Sequence, residues 1–240
     1  MDPLPSERIV LARHVTPGGE IQLQQRPLPD GSLAFEIISD GVFLMASYNQ
    51  VSERALAHYA LETVKTSPGS ELQVLVGGLG MGLTLQETLT GDVASVDVVE
   101  MSPYIVEWNR TFFAPLNGGA LADPRVRLIQ DDLYTFLCDL TKSTPAYYAI
   151  LLDVDNGPSW LAHPDNARLY TSEALKRWSA LLTPGGSFAV WSAQPEPEFL
   201  DRMRTIFGRA EEISIHAPDD RRQTVEHYIY RCVLLNGHKN

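Results

Sequence analysis

Between about residues 72 and 207 the chain alternates short apolar runs, rich in β-branched residues, with stretches whose apolar residues recur at helical spacing. The runs are Val74-Leu75-Val76-Gly77, Ser95-Val96-Asp97-Val98-Val99-Glu100, Arg125-Val126-Arg127-Leu128-Ile129-Gln130, Tyr148-Ala149-Ile150-Leu151-Leu152-Asp153 and Gly186-Ser187-Phe188-Ala189-Val190-Trp191. A run apolar on both faces reads as a buried strand, and strands separated by helices pair in parallel with helices covering both faces. Helices are expected at about 83–90, from Ser102-Pro103 to about 113, briefly after Asp132, at about 170–182 and at about 196–207. Two further β-prone runs, about 211–216 and 224–234, predict a closing hairpin. The expected fold is an α/β, doubly wound, mostly parallel seven-stranded sheet.

Residues 1–47 follow another rule. Ile9-Val10-Leu11-Ala12, Glu20-Ile21-Gln22-Leu23, Leu33-Ala34-Phe35-Glu36-Ile37-Ile38 and Val42-Phe43-Leu44-Met45 are short β-prone runs. They are punctuated by the turn signals Pro17-Gly18-Gly19, Pro29-Asp30-Gly31 and Asp40-Gly41. A small antiparallel β-domain over 1–48 is expected, followed by the sheet domain over 49–240. The latter starts with a helix from Val51 to Val64 with Ser52 as its N-cap.

In an open parallel sheet the ligand lies beyond the carboxyl ends of the strands, beside the first strand. The first strand ends in Gly77-Gly78-Leu79-Gly80-Met81-Gly82, whose glycines permit a tight turn and close approach of a ligand to the backbone. The helix after it directs its N-terminal amides at whatever sits over the loop. Strand two ends at Glu100, placed to accept from both ribose hydroxyls. Strand three ends at Asp131-Asp132, where a carboxylate would accept from an adenine amino group. Strand four ends at Asp153-Val154-Asp155. Each has a plainer reading: a polar strand end for Glu100, a helix N-cap for Asp132, a turn before Gly157-Pro158 for Asp153 and Asp155. Their conjunction on one side of one sheet points to a nucleoside-binding crevice. The glycine spacing Gly78-x-Gly80-x-Gly82 differs from the Gly-x-Gly-x-x-Gly of dinucleotide enzymes and disfavours a nicotinamide dehydrogenase. It is the spacing of S-adenosylmethionine enzymes.

Charge narrows the partners. With 30 acidic against 19 basic residues, a net charge of −11 repels phosphate backbones, so nucleic acid is not expected. No apolar run reaches 18 residues and Met1-Asp2-Pro3-Leu4-Pro5 lacks a leader pattern, so a cytoplasmic chain without a membrane span is expected. Cys138 and Cys232 lack a paired spacing and read as free thiols, and the six histidines form no ligand motif, so no metal is expected.

These residues together resemble the spermidine synthase (polyamine aminopropyltransferase) family, a branch of the class I methyltransferase-like, Rossmann-type transferases. The resemblance covers nearly the whole chain. Ser39-Asp40-Gly41-Val42-Phe43-Leu44 is similar to the end of the family's N-terminal β-domain, and Val74 to Gly82 to its first loop. Val98-Val99-Glu100-Met101-Ser102-Pro103 is similar to its ribose-binding strand end, and Asp123-Pro124-Arg125-Val126 with Asp132 to its adenine-binding segment. Ile150-Leu151-Leu152-Asp153, Gly157-Pro158 and Leu169-Tyr170-Thr171 are similar to its catalytic segment, and Leu182-Thr183-Pro184-Gly185-Gly186 to its entry to strand five.

The resemblance implies that Gly78, Gly80, Met81 and Gly82 form the cofactor loop, that Glu100 beside Met101 holds the ribose, and that Asp132 beside Asp131 holds the adenine. It implies that Asp153 orients or deprotonates an attacking amine, with Asp155 as a second carboxylate. It also implies a homodimer built through the N-terminal hairpins. Two departures stand out. The family carries an aspartate where this chain has Met81, and methionine cannot make that charge-assisted hydrogen bond, worth ~1.5–3 kcal/mol. The family's Tyr-Gln pair on the acceptor side is replaced by Ser52-Glu53, followed by Arg54. The expectation drawn from Met81 is ordinary S-adenosylmethionine as cofactor and methyl transfer to a small amine or amino-acid-like acceptor. The alternatives are aminopropyl transfer from decarboxylated S-adenosylmethionine and a non-catalytic nucleoside-binding scaffold. Arg54 reads as a contact for an acceptor carboxylate or as a solvated helix arginine. Trp160, Tyr170 and Trp191 are candidates to line the acceptor pocket, core packing being the plainer role.

Overall fold

The first strand of the parallel sheet is short because its last residue, Gly77, opens the glycine loop, and the rest of the architecture is arranged around that point. The computed structural model describes residues 8–16, 19–62, 64, 71–140, 147–218 and 223–234; Pro17 and Gly18 of the expected first turn, and both ends of the chain, lie outside the described residues. Four strands come first, β1 (Ile9–Thr16), β2 (Gly19–Pro27), β3 (Leu33–Ser39) and β4 (Val42–Ala46). They form an antiparallel meander in sequence order.

The helix α1 (Val51–Glu62) links the meander to the larger sheet. Ser52 sits inside its first turn rather than capping it. The Ser52 hydroxyl donates to Glu53 Oε2 at 2.8 Å. Then follow β5 (Gln73–Gly77), α2 (Leu83–Thr90), β6 (Ser95–Val99), α3 (Pro103–Arg110), the single turn α4 (Ala114–Asn117), β7 (Val126–Ile129), α5 (Leu133–Leu140) and β8 (Tyr147–Leu152). After a 3-10 stretch at Pro164–Tyr170 come α6 (Ser172–Leu181), β9 (Leu182–Ser192), α7 (Pro197–Phe207), β10 (Ala210–Pro218) and β11 (Thr224–Val233). The sheet order is β10-β11-β9-β8-β5-β6-β7, with β5 to β9 parallel and β11 and β10 antiparallel at one edge.

The local reasons are mostly the expected ones. Ser102 caps α3, accepting from the Ile105 amide at 3.4 Å with Pro103 in the first turn. One boundary differs: Pro184-Gly185 does not turn the chain into a strand but lies within β9, whose register against β8 jumps between the pairs Tyr147–Leu182 and Ala149–Ser187. The Gly185 amide is taken up by the Leu234 carbonyl at 2.8 Å, so pairing continues past the irregularity.

Two apolar layers hold the sheet. On one face α1, α2 and α3 pack Leu56, Leu85, Ile105 and Trp108 over Val74, Val76, Val96 and Val98, and Leu23 and Ile37 of the meander join the same cluster. On the other, α5, α6 and α7 pack Leu137, Trp178, Met203 and Phe207 over Leu75, Ile150, Leu152 and Phe188. Within the sheet Asp97 is buried. Both its oxygens accept from Arg127 of β7, at 2.8 and 2.5 Å, and Tyr147 Oη of β8 adds a third bond at 2.7 Å. Among the described residues no helix is long and apolar enough to cross a membrane.

Candidate active site

A cavity of about 170 Å³ lies at the carboxyl ends of β5, β6, β7 and β8, closed on its outer side by Ile21, Ile37, Ser39, Leu44 and Met45 of the meander. Its floor begins at the glycine loop. Gly78 has φ of +88°, and a Cβ there would lie 2.1 Å from the Asp153 carbonyl oxygen. The loop therefore lies directly against the end of β8, where the Asp153 amide donates to the Gly77 carbonyl at 2.8 Å.

Met81 is placed otherwise than its position in the loop suggests. Its side chain is fully buried in the core beneath α2 and α3 and is absent from the cavity wall. Its carbonyl accepts from Asn117 Nδ2 at 3.0 Å. Gly78 and Gly80 line the cavity; Gly82 instead starts α2, with its Cα against Asn117 and Asn109.

Glu100 lines the cavity with both oxygens fixed by backbone donors, Oε2 by the Leu79 amide at 3.0 Å and Oε1 by the Ser102 amide at 2.7 Å. Burial pushes its pKa up against these bonds, which favour the charged form. Each carboxylate oxygen keeps a second lone pair for a ligand hydroxyl. Half-exposed Met101 also lines the wall. Asp131 and Asp132 stand beside them. Asp132 Oδ1 accepts from the Thr135 amide and hydroxyl, both at 2.8 Å, so it caps α5; it also meets Arg168 at 3.4 Å. Asp131 Oδ1 accepts from the Asp132 amide at 2.8 Å.

Asp153 and Asp155 both reach the cavity, in different ways. Asp153 Oδ2 meets the Thr84 hydroxyl at 2.6 Å, and burial pushes its pKa up to about 6. Asp155 has a left-handed backbone, φ +58°, and its carboxylate gathers the following loop. Oδ1 accepts from the amides of Ala162 and His163 at 3.2 and 3.4 Å, and Oδ2 from Asn166 Nδ2 at 2.8 Å.

The four acceptor-side candidates separate. Trp191 lines the cavity, stacked on His227 with ring centroids 5.4 Å apart, and its indole N–H has no partner. Tyr170 is buried behind the site, its hydroxyl donating to the Val154 carbonyl at 3.1 Å. Trp160 is half-exposed on the loop after Asp155 and outside the cavity wall. Arg54 faces α2, donating to Gln86 Oε1 at 2.7 Å and pairing with Glu87 at 3.5 Å.

Five polar residues of the wall were not expected as site residues: Ser39, Glu53, Ser102, His163 and Asn166. Glu53 is the most unusual, only 5% exposed on the first turn of α1. Desolvation, then the nearby Asp153 carboxylate, push its pKa up to about 8. The available signal was a glutamate at helical spacing from Leu56, Ala57 and Ala60, the apolar residues that α1 buries.

No family model matches the chain. It is 35% identical over 149 residues to a polyamine aminopropyltransferase of Corynebacterium efficiens, covering 60% of this chain and 27% of that protein. It is 26% identical over 222 residues to one of Synechococcus, covering 87% of this chain and 67% of that protein. The chain thus spans from about a quarter to two thirds of the length of these curated relatives. A solved spermidine synthase in complex with the transition-state analogue AdoDATO superposes with a TM-score of 0.75 at 18% identity, covering 93% of this chain and 73% of that one. The spermidine synthase of Thermotoga maritima gives 0.73, also at 18% identity. The fold is the spermidine synthase fold.

These findings overturn methyl transfer from ordinary S-adenosylmethionine. The relatives are aminopropyltransferases by name, and the residue on which the methyl reading rested, Met81, faces the core and not a ligand.

Proposed function

For a spermidine synthase-like chain with this cavity, we propose aminopropyl transfer from decarboxylated S-adenosylmethionine to an amine of the polyamine class. One observation carries the choice of donor and acceptor. Six carboxylates line the cavity, Glu53, Glu100, Asp131, Asp132, Asp153 and Asp155, and no lysine or arginine stands among the lining residues. A sulfonium, the free ammonium of a decarboxylated donor and an amine acceptor are all cations suited to such a wall. A donor that kept its carboxylate would add a further negative charge to this wall.

Glu100 holds the ribose hydroxyls with oxygens already oriented by two backbone amides. Asp131 and Asp132 face the adenine amino group. The bare backbone at Gly78 lets the donor lie against the end of β8. The acceptor nitrogen attacks the propyl carbon bonded to sulfur. A C–N bond forms, the C–S bond breaks, and its electron pair neutralises the sulfonium to the thioether of methylthioadenosine. Asp153 aligns the amine and takes the proton it sheds; a carboxyl near pKa 6 is largely ionised at neutral pH and still basic enough to act.

The test is direct. Purified protein given decarboxylated S-adenosylmethionine and 1,4-diaminobutane is expected to release methylthioadenosine, and Asp153→Asn to lower kcat by about 10²- to 10⁴-fold. No methylthioadenosine with any amine tried, or full turnover by Asp153→Asn, would overturn the reading.

A further inference from the structure

The first turn of α1, the first turn of α2 and the end of β8 meet at one hydroxyl. Thr84 Oγ1 lies 2.6 Å from Asp153 Oδ2 and 3.2 Å from the Glu53 carbonyl oxygen. This brings the Glu53 and Asp153 carboxyls together at the same end of the cavity. Ser52 satisfies Glu53 Oε2. Among the described residues the carboxyl's hydrogen bonds come from neutral groups, Ser52 and its own backbone amide, although the residue is 5% exposed and lines the cavity. The nearest cation, Arg54, is drawn away to Gln86 and Glu87 of α2. On the other elements packed against α1, Arg231 of β11 binds the far end of the helix, at the Tyr59 carbonyl and Glu62. Trp191, from the end of β9, lines the same cavity with its N–H unpartnered.

A buried carboxylate beside a second one, facing a cavity and with its neighbouring cation engaged elsewhere, is costly unless something positive enters. We propose that Glu53 is the anionic anchor of the acceptor site, taking with Asp153 one ammonium group of the amine substrate and so setting which amines the protein accepts. The assignment rests on the amine-acceptor reading above. Before the amine arrives Glu53 carries a proton at neutral pH, because burial and Asp153 hold its pKa near 8. An incoming ammonium replaces that proton, which leaves to solvent. Glu53 is thus a positioning residue, and its signature is proton release on binding.

Titration calorimetry of 1,4-diaminobutane into the protein saturated with methylthioadenosine, in two buffers of different ionisation enthalpy, reads that proton count. The wild type is expected to release about one proton at pH 7, following linkage between cation binding and a protonated carboxyl. Glu53→Gln is expected to release almost none and to bind the amine about 10- to 100-fold more weakly, as loss of a charge-assisted hydrogen bond implies. Its acceptor KM rises in step while kcat at saturation changes less. Should Glu53→Gln fail to fold, the wild-type proton count alone decides, and its absence overturns the assignment. Amine binding that weakens in Glu53→Gln with loss of proton release, but without turnover in the wild type, supports the anchor and overturns the transfer reaction. Turnover with unchanged acceptor KM and unchanged proton release in Glu53→Gln overturns the anchor and leaves the reaction standing.

Discussion

The Thr84 hydroxyl has one proton and two oxygen neighbours, Asp153 Oδ2 at 2.6 Å and the Glu53 carbonyl at 3.2 Å. While Asp153 is ionised the proton is given to the carboxylate. Once Asp153 is protonated the carboxyl donates to Thr84, and Thr84 turns to the carbonyl. The hydroxyl therefore follows the charge state of the Asp153 carboxyl and favours its ionised form. Thr84→Val keeps the shape and removes the donor. The acid limb of the pH–rate profile is expected to move to higher pH, and kcat below pH 7 to fall about tenfold, the low end for a hydrogen bond to a charged group. Steady-state rates from pH 5 to 9 measure both.

Stability should depend on pH in a direction unusual for a protein rich in acids. Glu53 moves from 4.5 to about 8 on folding and Asp153 from 3.8 to about 6. The folded state then binds more protons than the unfolded chain over that range, so stability falls as pH rises. Glu100 and Asp155 are raised too and act in the same direction. Buried His227 acts oppositely: its depressed pKa makes the folded state gain stability with rising pH up to about 6.5. Between 6.5 and 8 the Glu53 slope stands clear. Thermal unfolding without added ligand should show a melting temperature that drops across this window, and Glu53→Gln should flatten it.

Restoring an aspartate at position 81 tests where that side chain points. A residue facing a ligand would gain an amine contact. Met81 faces the core, so Met81→Asp leaves a charge without a partner among Leu83, Ile105 and Trp108. A loss of about 3–5 kcal/mol is expected, from the cost of an uncompensated buried charge. Denaturant titration measures it, and a variant as stable as wild type would contradict the placement.

Gly78 has no room for a methyl group, with φ of +88° and the Asp153 carbonyl 2.1 Å from an ideal Cβ. Gly78→Ala is expected to cost about 2–5 kcal/mol through backbone strain and overpacking. By displacing the end of β8 it should also lower turnover more than it lowers nucleoside affinity.

What the sequence disclosed and what it withheld have different physical origins. The strands of the parallel sheet were legible because β5, β8 and β9 are apolar on both faces, a pattern no exposed segment sustains, and β6 and β7 interrupt it chiefly with Asp97 and Arg127, which pair with each other. The acids at their ends were legible because topology places strand ends together. Side-chain direction inside the glycine loop was not. Three positive-φ residues, Gly78, Gly80 and Gly82, reorient the chain over five positions, so Met81 can be read as facing either side. Glu53 was hidden for another reason: its partner, Asp153, is 100 residues away, and only packing of α1 against the end of β8 makes it part of the site. The β9 start was misplaced because Pro184-Gly185-Gly186 has the composition of a turn but the hydrogen bonds of an irregular strand.

The meander that closes the outer side of the cavity also sets an order in time. Asn156 Nδ2 donates to the Phe43 carbonyl at 3.1 Å, joining residues 113 positions apart, and Trp191 of β9 also lines the cavity. A growing chain has its glycine loop early, but the chamber above it stays open until β9 has been synthesised and docked. The glycine loop is thus encoded locally, whereas the enclosed chamber above it is a property only of the finished molecule.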